Sequence, residues 1–521
     1  MKGYPLTRSP AAQCMAVALL AALVLLALSQ LHDIDHLYVA GQPIGLNDQA
    51  GYITTARWFA DTGELRSHLI YPAYVDEPRW RLYMPGQYCA LAAAYKAFGD
   101  HPWTWRVPAL VSFVLASVGV FLIGRRLFDG MAGWVAAVLF MLLPANGAFA
   151  FTAMPQLPFI ALGVGSFCAF CYLPARRRAL WVPLLLVPPF LIRETGALLV
   201  IPMAWLSMGQ DGSGRVRRAG PALFALVGSV MALATVLAWQ IGSGKGALPL
   251  TMALTGGFNY PDAFAEPVSA TLAELAVKLP RYAARNLSVL LSNATSRWMS
   301  VEPVLALILL AATGLLHSAK RLAIGVVGLL VVTLAMVTFF YEWQAFRGTR
   351  SVLFVYPLCA LAAAPVLGHW IAHTRARTGK GRIGRLSYLL FLLPAVLWSA
   401  RGAEAMAQGM RSTYGARTIE CLDQVAIDRE RLFVSPFEIS LDYTLANYPI
   451  RWSFVPLNAR TLRLVDSKHE IGTLIIRPDQ LTAPMAKALH KLQFLPGPSF
   501  TFEIHKKQTR EYLVFHRPAG N

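Results

Sequence analysis

The chain has 521 residues, of which 56% carry hydrophobic side chains and only 14% are charged. A soluble protein of this length carries roughly 25% charged residues, and apolar stretches of about 18 residues recur from residue 11 to residue 400. These proportions exclude a soluble multidomain enzyme over most of the chain and indicate a membrane protein.

The net charge of +19 is concentrated in six short hydrophilic breaks between the apolar stretches. The breaks are residues 1–10, 124–130, 174–180, 208–219, 316–322 and 371–385. Together they hold 17 Lys or Arg against 2 acids, so the rest of the chain carries only +4. Short basic loops at every second break follow the positive-inside rule, which places them in the cytoplasm. This distribution argues against nucleic acid as a partner.

Apolar stretches long enough to cross the hydrocarbon core predict nine transmembrane helices. They are expected near 11–31, 104–123, 131–148, 156–173, 220–242, 302–316, 323–341, 351–370 and 386–402. Residues 180–207 lie between two basic breaks, so they leave the cytoplasm and return within 28 residues. We expect a thin or re-entrant helix pair that turns at Arg193-Glu194; the alternative is a single long span. The total is about eleven helices, with the amino terminus inside and the carboxyl terminus outside.

Three segments are left on the outer face: 32–103, 243–301 and the tail from 403. The first has eight acids against five Lys or Arg and is far longer than a connection requires, which usually marks function. In it we expect two short helices that lie flat on the membrane surface. One begins at Asn47 or Asp48 and ends near Gly63, and the other covers residues 86–98.

The tail differs from the rest of the chain in its pattern. Short β-rich runs alternate with helical ones, which predicts a small α/β domain of about 110 residues. The β-rich runs are 432–434, 473–476, 500–504 and 512–515, and the helical runs are 439–446 and 483–492. We therefore divide the chain into a transmembrane domain (1–402) and an extracytoplasmic α/β domain (403–521).

Asp48 is the acid that we single out, because it opens the first outer helix at the rim of the membrane. A carboxylate that is half desolvated and faces a cavity can accept a proton from a hydroxyl nucleophile. The alternative is a plain helix cap, a position at which Asp is common. The two roles are compatible.

Other acids raise the question of a metal. His32 and His36, with Asp33 and Asp35 between them, would hold a divalent metal if the first span continues as a helix. The alternative is a set of solvated groups at the exit of a span, and we expect no cofactor.

Two further pairs of charged residues are candidates for the lining of a cavity. Asp76-Glu77 would bind an acceptor or a metal, or simply form a turn before a proline. Arg193-Glu194 lies at the tip of the short helix pair, where ionisable groups pair with one another or line a wet cavity.

Arg347 and Arg350 lie on the outer side, contrary to the positive-inside pattern, directly before a span. A snorkelling anchor explains one of them. Two guanidinium groups so close together suggest a bound anion, and a lipid phosphate at headgroup depth is the obvious candidate. Lys245, at the outer end of its own span, would join them.

Several short motifs carry a family resemblance. They are Asn47-Asp48-Gln49-Ala50-Gly51-Tyr52, Tyr83-Met84-Pro85-Gly86-Gln87-Tyr88, Ala97-Phe98-Gly99, Arg106-Val107-Pro108, Gly124-Arg125-Arg126-Leu127-Phe128 and Leu191-Ile192-Arg193-Glu194-Thr195-Gly196. The chain resembles the GT-C glycosyltransferases, and the closest branch looks like the protein O-mannosyltransferase and aminoarabinose transferase group. One position departs from the pattern: members often carry an acid at the outer start of the fourth span, where this chain has Met154-Pro155-Gln156.

The resemblance implies a polytopic α-helical enzyme of the bacterial inner (plasma) membrane. Its donor would be a polyprenyl-phosphate-linked sugar, and its acceptor a hydroxyl of a protein, lipid or polysaccharide of the cell envelope, with membrane lipid as a further partner. Transfer would take place on the outer face with inversion at the anomeric carbon.

On this basis each candidate residue has an expected role. Asp48 is the general base, and Arg347, Arg350 and Lys245 stabilise the departing phosphate. The cavity would be lined by Tyr52, Arg193, Glu194, Asp76 and Glu77. The alternative function is a flippase or transporter of lipid-linked sugars, which often shows internal repeats; we find no convincing repeat.

Overall fold

The computed structural model describes residues 9–31, 48–65, 69–70, 84–101, 103–174, 177–210, 216–218, 220–242, 280, 284, 320–340, 353–378, 425, 427, 430–436, 450–454, 459–504 and 508–518. The helices are α1 (Pro10–Leu31), α2 (Asp48–Thr62), α3 (Pro85–Phe98), α4 (Val107–Leu127), α5 (Gly130–Met141), α6 (Pro144–Ala150), α7 (Gln156–Tyr172), α8 (Arg178–Ile192), α9 (Val200–Ser207), α10 (Gly220–Gly242), α11 (Lys320–Phe340), α12 (Tyr356–Thr378), α13 (Ala459–His469) and α14 (Ala483–Lys491). Short 3-10 helices cover Thr104–Arg106, Glu194–Leu199, Leu353–Val355 and Pro478–Gln480. The strands are β1 (Leu69–Ile70), β2 (Gly209–Gln210), β3 (Val216–Arg218), β4 (Leu432–Ser435), β5 (Trp452–Phe454), β6 (Ile471–Ile476), β7 (Leu495–Ile504) and β8 (Gln508–His516).

Most predicted spans coincide with helices of this structure. Among the described residues, two helical stretches are long and apolar enough to cross a membrane by themselves, Pro10–Ser29 and Thr104–Leu127. Along α1, Leu19 is 62% exposed and Leu23 is 52% exposed, a pattern suited to a helix that faces lipid. The predicted spans 302–316 and 386–402 lie outside the described residues, so the total of eleven stays a prediction.

The span predicted for 131–148 is wrong as a single helix, because the chain breaks there into α5 and α6. Pro144 is the first residue of α6. Proline has no N–H to donate and its ring clashes with the carbonyl four residues back, so it cannot continue α5. The side chain of Asn146 donates to the Phe140 carbonyl at 3.0 Å. Pro144 has no N–H to donate to the Phe140 carbonyl four residues back. The Asn146 side chain provides a hydrogen bond to this carbonyl instead.

Helix α4 lies at the centre of the bundle and packs against α1, α5 and α7. Its contact with α5 depends on glycine. A Cβ atom on Gly124 would lie 2.8 Å from the Gly133 Cα, and a Cβ on Gly133 would lie 2.7 Å from the Phe121 carbonyl oxygen. Small residues that let two backbones touch are typical of helix pairs in membranes.

Described arginines of three basic breaks, 124–130, 174–180 and 316–322, lie at one end of the bundle, which we call the basic end. There Arg125 donates to the Gln13 side chain at 3.2 Å, Arg178 donates to the Cys171 carbonyl at 3.0 Å, and Arg321 donates to the end of α9. Helices α1, α8 and α11 therefore begin at this end, whereas α4, α7 and α9 end there. This alternation agrees with basic breaks that share one side of a membrane.

Residues 180–207 form the expected short helix pair. Helix α8 ends at Ile192, and the chain reverses at Arg193 before it continues through the 3-10 helix and α9. The 15 residues of α8 span about 22 Å, less than the hydrocarbon core. The structure confirms the turn at Arg193-Glu194; how deeply the pair enters the membrane stays a prediction.

The two helices predicted for the first outer segment are present as α2 and α3. They lie side by side in the same direction, since the ring centroids of Tyr52 and Tyr88, near their starts, are 5.5 Å apart. Near their ends, the Arg57 guanidinium forms a salt bridge of 2.8 Å with Asp100. The two amino-terminal ends therefore point to the same region.

The tail contributes most of a six-stranded sheet with the order β1-β5-β4-β6-β8-β7. Strands β1, β5, β4 and β6 pair in parallel, and β8 and β7 pair antiparallel to complete the sheet. Every residue of β4 and β6 is buried, as expected for central strands covered on both faces. Of the predicted helical runs, 439–446 lies outside the described residues and 483–492 is α14.

Strand β1 comes from the first outer segment, between α2 and α3, and not from the tail. Leu69 pairs with Trp452 and Ile70 with Ser453, in parallel register. A strand cannot pair across a bilayer, so the first outer segment and the tail lie on the same side of the bundle. The sheet therefore includes one short strand from before residue 403, and the division of the chain into domains at that residue stays a prediction.

Paired cysteines test this link. Adjacent strands lie about 4.8 Å apart, within reach of a disulfide, so we expect the double variant Ile70→Cys/Ser453→Cys to cross-link under mild oxidation in membranes. The measurement is a shift in gel mobility after cleavage between the two positions. The matched control is Ile70→Cys/Thr501→Cys, which places one cysteine in β1 and the other in β7, at the opposite edge of the sheet. Equal cross-linking of both pairs would contradict the register.

Candidate active site

Three helices begin close together at the end of the bundle opposite to the basic end: α2, α3 and α7. Gln49, the second residue of α2, accepts a hydrogen bond from the Ala153 N–H at 2.7 Å. Gln87, in the first turn of α3, donates its amide nitrogen to the Ala153 carbonyl at 2.8 Å. Helix α7 begins three residues later, at Gln156. Asp48 is the first residue of α2 and is therefore placed at this junction.

We call Gln49, Gln87 and Ala153 the amide clamp. Gln49 and Gln87 are each 1% exposed and Ala153 is 2% exposed. A buried backbone N–H or C=O has to be hydrogen-bonded, because each unmet group costs about 1–3 kcal/mol. The clamp meets this need with one side chain from each outer helix. It thereby fixes the starts of α2 and α3 to the turn before α7.

Replacing Gln49 with methionine tests the clamp. Methionine matches glutamine in length and has no strong acceptor, so the Ala153 N–H loses this bond. We expect a loss of about 1–3 kcal/mol in the free energy of unfolding, measured in detergent by denaturant titration. Gln49→Glu keeps an acceptor oxygen and is the control. Equal stability of Gln49→Met and the unchanged protein would contradict the role of the clamp.

The tip of the α8 turn also reaches this junction. A Cβ atom on Gly86, the second residue of α3, would lie 2.8 Å from the Leu191 carbonyl oxygen and 2.6 Å from Ile192 Cδ1. Met84 packs against Phe190 just before this point. Arg193 and Glu194, directly after α8, are therefore beside the start of α3.

The electrostatics of the junction favour negative charge. The residues that precede α3 and α7 are Met84 and Pro155, and neither provides a side-chain cap. The first N–H groups of a helix have no partner inside the helix, and its dipole places a partial positive charge there. Such ends bind carboxylates and phosphates. Three helix starts at one junction therefore favour an anion such as a phosphate at this end of the bundle.

The sequence-predicted site is only partly within the described residues. Asp48 opens α2, Tyr52 is buried against Tyr88, and Arg193 and Glu194 form the turn after α8. The structure therefore brings these elements to one end of the bundle. The remaining candidates lie outside the described residues: Asp76, Glu77, Lys245, Arg347, Arg350, His32, Asp33, Asp35 and His36. Within the part that is described, no group of three or more His, Cys, Asp or Glu could hold a metal.

Sequence reasoning missed the roles of Gln49 and Gln87, although both stand inside the quoted motifs. One signal was available: a glutamine in the first turn of an apolar helix is a polar group that burial leaves in need of partners. The partner of Gln49 is the backbone N–H of Ala153, about 100 residues later in the sequence. No periodic pattern in the sequence indicates a contact of this kind.

The geometry can be compared with known proteins. The archaeal oligosaccharyltransferase AglB from Archaeoglobus fulgidus, solved with an inhibitory peptide and a dolichol-phosphate, superposes with a TM-score of 0.54 at 14% identity, over 96% of this chain and 74% of that one. ArnT from Cupriavidus metallidurans, bound to undecaprenyl phosphate, gives a TM-score of 0.51 at 12% identity, over 96% and 97%. The chain therefore shares the fold of these two proteins.

The family comparison agrees with the fold. Residues 84–239 match the model of the dolichyl-phosphate-mannose-protein mannosyltransferase family. This region begins just before α3 and runs through α10. No curated protein sequence matches the chain. The resemblance noted from the sequence motifs is thus confirmed.

Proposed function

We propose that the protein is an integral-membrane glycosyltransferase that moves a hexosyl or pentosyl group from a polyprenyl-phosphate carrier to an acceptor hydroxyl on the extracytoplasmic side, with inversion. The observation that carries the proposal is the junction of α2, α3 and α7, with Asp48 at the first position of α2. It combines a candidate base with three helix starts that favour a phosphate.

The sidedness rests on the two ends of the bundle. The basic end gathers Arg125, Arg178 and Arg321, and such residues stay in the cytoplasm. The junction lies at the other end, together with the first outer segment and the tail. This supports an extracytoplasmic site in the bacterial inner membrane, with the α/β domain of residues 403–521 beside it.

The proposed reaction is a single displacement. The acceptor hydroxyl oxygen attacks the anomeric carbon on the face opposite to the phosphate, and its bond to carbon forms as the carbon–oxygen bond to phosphate breaks. The hydroxyl proton passes to the Asp48 carboxylate, and the polyprenyl phosphate leaves with the electron pair of the broken bond. Attack from the opposite face inverts the configuration.

The departing phosphate needs positive charge. Arg347, Arg350 and Lys245 are the proposed ligands, since a guanidinium grips two phosphate oxygens at once. Arg193 and Glu194 are proposed to line the cavity beside them, together with Tyr52, Asp76 and Glu77. The donor class is supported by the polyprenyl phosphates bound in the two similar structures.

The test is a transfer assay with the full chain in liposomes. The donors are undecaprenyl-phosphate sugars labelled in the sugar, and the acceptors are a Ser/Thr-rich peptide, a glycolipid and a polysaccharide. We expect label to leave the carrier and appear on one acceptor with the opposite anomeric configuration. Label that crosses the bilayer while still attached to the carrier would contradict the proposal and indicate a flippase.

A further inference from the structure

Four arginines gather around the last turns of α7 and α9 at the basic end. We call them the arginine cluster: Arg125, Arg126, Arg178 and Arg321. The Arg126 guanidinium lies over the Tyr172 ring, 5.7 Å from its centroid. The Arg178 guanidinium lies over the Phe170 ring in the same turn of α7, at 5.5 Å. The four side chains come from α4, α8 and α11, so the fold brings together charges that lie far apart in the sequence.

Neutral partners hold the cluster in place. Arg178 donates to two carbonyls at the end of α7, at 3.0 and 3.1 Å, and Arg321 donates to two carbonyls at the end of α9. Arg125 donates to the Gln13 side chain at 3.2 Å. The last carbonyls of a helix have no partner inside it, and a cation suits them. The guanidinium groups are therefore fixed, but these partners neutralise their charge only in part.

The acids of the basic end do not balance this charge. Among the described residues, no salt bridge involves a member of the cluster. The six basic breaks contain two acids: Asp129, which caps α5 by accepting from the Ala132 N–H at 2.8 Å, and Asp211, which lies outside the described residues. Even if both acids count in full, with about half a negative charge for each of the two helix ends, the cluster stays positive. Its exposed sequence neighbours Arg177 and Lys320 add to this charge.

Orientation in a membrane does not by itself explain this arrangement. The positive-inside rule requires charge on one side, but it does not require the charges to be fixed or close together. The charge of Arg178 acts on Arg321, and both side chains are half-buried, so water and salt screen their repulsion only in part. An anion bound beside them lowers this repulsion. Guanidinium groups suit a phosphate, because each presents several N–H donors in a fixed plane.

The surface next to the cluster selects the kind of phosphate compound. Leu180, Trp181 and Leu184 are exposed within the first two turns of α8, and Tyr172 is exposed at the end of α7. Exposed apolar side chains suit acyl chains, and Trp and Tyr are common at the headgroup level of a bilayer. A phospholipid places its phosphate beside the arginines and its acyl chains along α8. A soluble phosphate compound meets only the first of these requirements.

We propose that the arginine cluster binds the phosphate of an anionic phospholipid in the leaflet at the basic end. Arg126, the exposed member, contacts the phosphate, and the half-buried members add positive charge behind it. The inference goes beyond the proposed function, because it concerns the end of the bundle opposite to the candidate active site and does not depend on sugar transfer.

The test measures lipid binding by the full chain in detergent, with native mass spectrometry. The probes are phosphatidylglycerol, which is anionic, phosphatidylcholine with the same acyl chains, which has no net charge, and inorganic phosphate. We expect the unchanged protein to bind phosphatidylglycerol at least about 10-fold more tightly than phosphatidylcholine. Inorganic phosphate at millimolar concentration should not displace it. Equal affinity for the two lipids would overturn the proposal, and so would displacement by inorganic phosphate, which would indicate a soluble ligand.

Arg126→Gln removes one charge from the cluster. One arginine near the membrane surface contributes about fivefold to the binding of an anionic lipid. We therefore expect the affinity for phosphatidylglycerol to fall about fivefold, with that for phosphatidylcholine unchanged. Arg126→Lys keeps the charge and should recover part of the loss. The matched control is Lys96→Gln, which removes one exposed positive charge at the end of α3 and should leave both affinities unchanged. Equal losses in Arg126→Gln and Lys96→Gln would overturn the site, because net charge alone would then account for binding.

Photolabelling locates the lipid on the unchanged protein, and it tests the proposal even if Arg126→Gln does not fold. A phosphatidylglycerol with a photoreactive headgroup should label the peptides that contain Tyr172 or Trp181. Labelling spread evenly over the chain, or confined to α2 and α3 at the junction end, would overturn the proposal.

Discussion

Replacing Asp48 with asparagine is expected to lower the rate of sugar transfer by about 10²–10⁴-fold, the contribution typical of a positioned general base. Asparagine has the same shape and cannot accept the acceptor's proton. Asparagine at the first position of α2 keeps the size and polarity of the side chain, so α2 should still begin at residue 48. The substitution therefore separates the two roles that the sequence leaves open for Asp48.

The measurement pairs turnover with donor affinity. Transfer of labelled sugar should fall, while the Kd for the donor lipid stays within about threefold, because the base acts in the transition state and not on the bound donor. The matched control is Asp61→Asn, at the exposed far end of the same helix. Full activity of Asp48→Asn would remove this residue from the mechanism, and loss of donor binding would indicate a structural role instead.

The parts of the fold that were predictable depend on local patterns. Helix α2 begins at Asp48 and ends one residue before Gly63, whose φ is +74° and whose N–H bonds to the Phe59 carbonyl at 2.9 Å. The polar Asn47-Asp48 pair and the glycine after the last helical residue are both visible in the sequence and are typical of the start and the end of a helix. The turn at Arg193 was predictable for a different reason, since two basic breaks flank a stretch too short for two full spans.

The parts that were not predictable depend on contacts between distant residues. The pairing of β1 with β5 joins Leu69 to Trp452, and two residues of strand carry no periodic signal. The amide clamp likewise joins Gln49 to a backbone peptide and not to a side chain of recognisable chemistry. The helix break at Pro144 could have been predicted from the proline itself, which disrupts a helix. The mean hydropathy of the stretch does not show the break, because the proline stands within an apolar run.

The two ends of the bundle explain why this fold suits a lipid-linked substrate. The arginines at the basic end donate hydrogen bonds to carbonyl groups and to Gln13. We therefore interpret their charge as a determinant of how the bundle is oriented in the membrane. The junction end is built from helix starts and the neutral amides of Gln49 and Gln87, and the backbone of Asp48 and of the turn at Arg193-Glu194 lies at this end. Positive helix ends suit the phosphate of the proposed donor, so the two ends of the bundle differ in the way that the proposed function requires.

Gly196→Ala is expected to have the largest effect on stability. A Cβ atom there would lie 2.7 Å from the Phe190 nitrogen and from the Pro189 carbonyl carbon, and 3.0 Å from the Pro189 oxygen. All three atoms belong to the backbone of α8, so no side chain can move aside. We expect a loss of about 3 kcal/mol, the upper range for overpacking, because the chain after Arg193 has to move away from α8.

The apparent unfolding temperature in detergent measures this effect, and sugar transfer should fall with it, since the displaced turn lies beside the start of α3. The matched control is Gly165→Ala in α7, where the position is exposed and a Cβ atom meets nothing within 4 Å. There alanine is expected to be neutral or to stabilise the helix by up to about 1 kcal/mol. If both variants unfold at the temperature of the unchanged protein, Gly196 does not hold the turn against α8, and the placement of Arg193 and Glu194 at the junction loses its structural support.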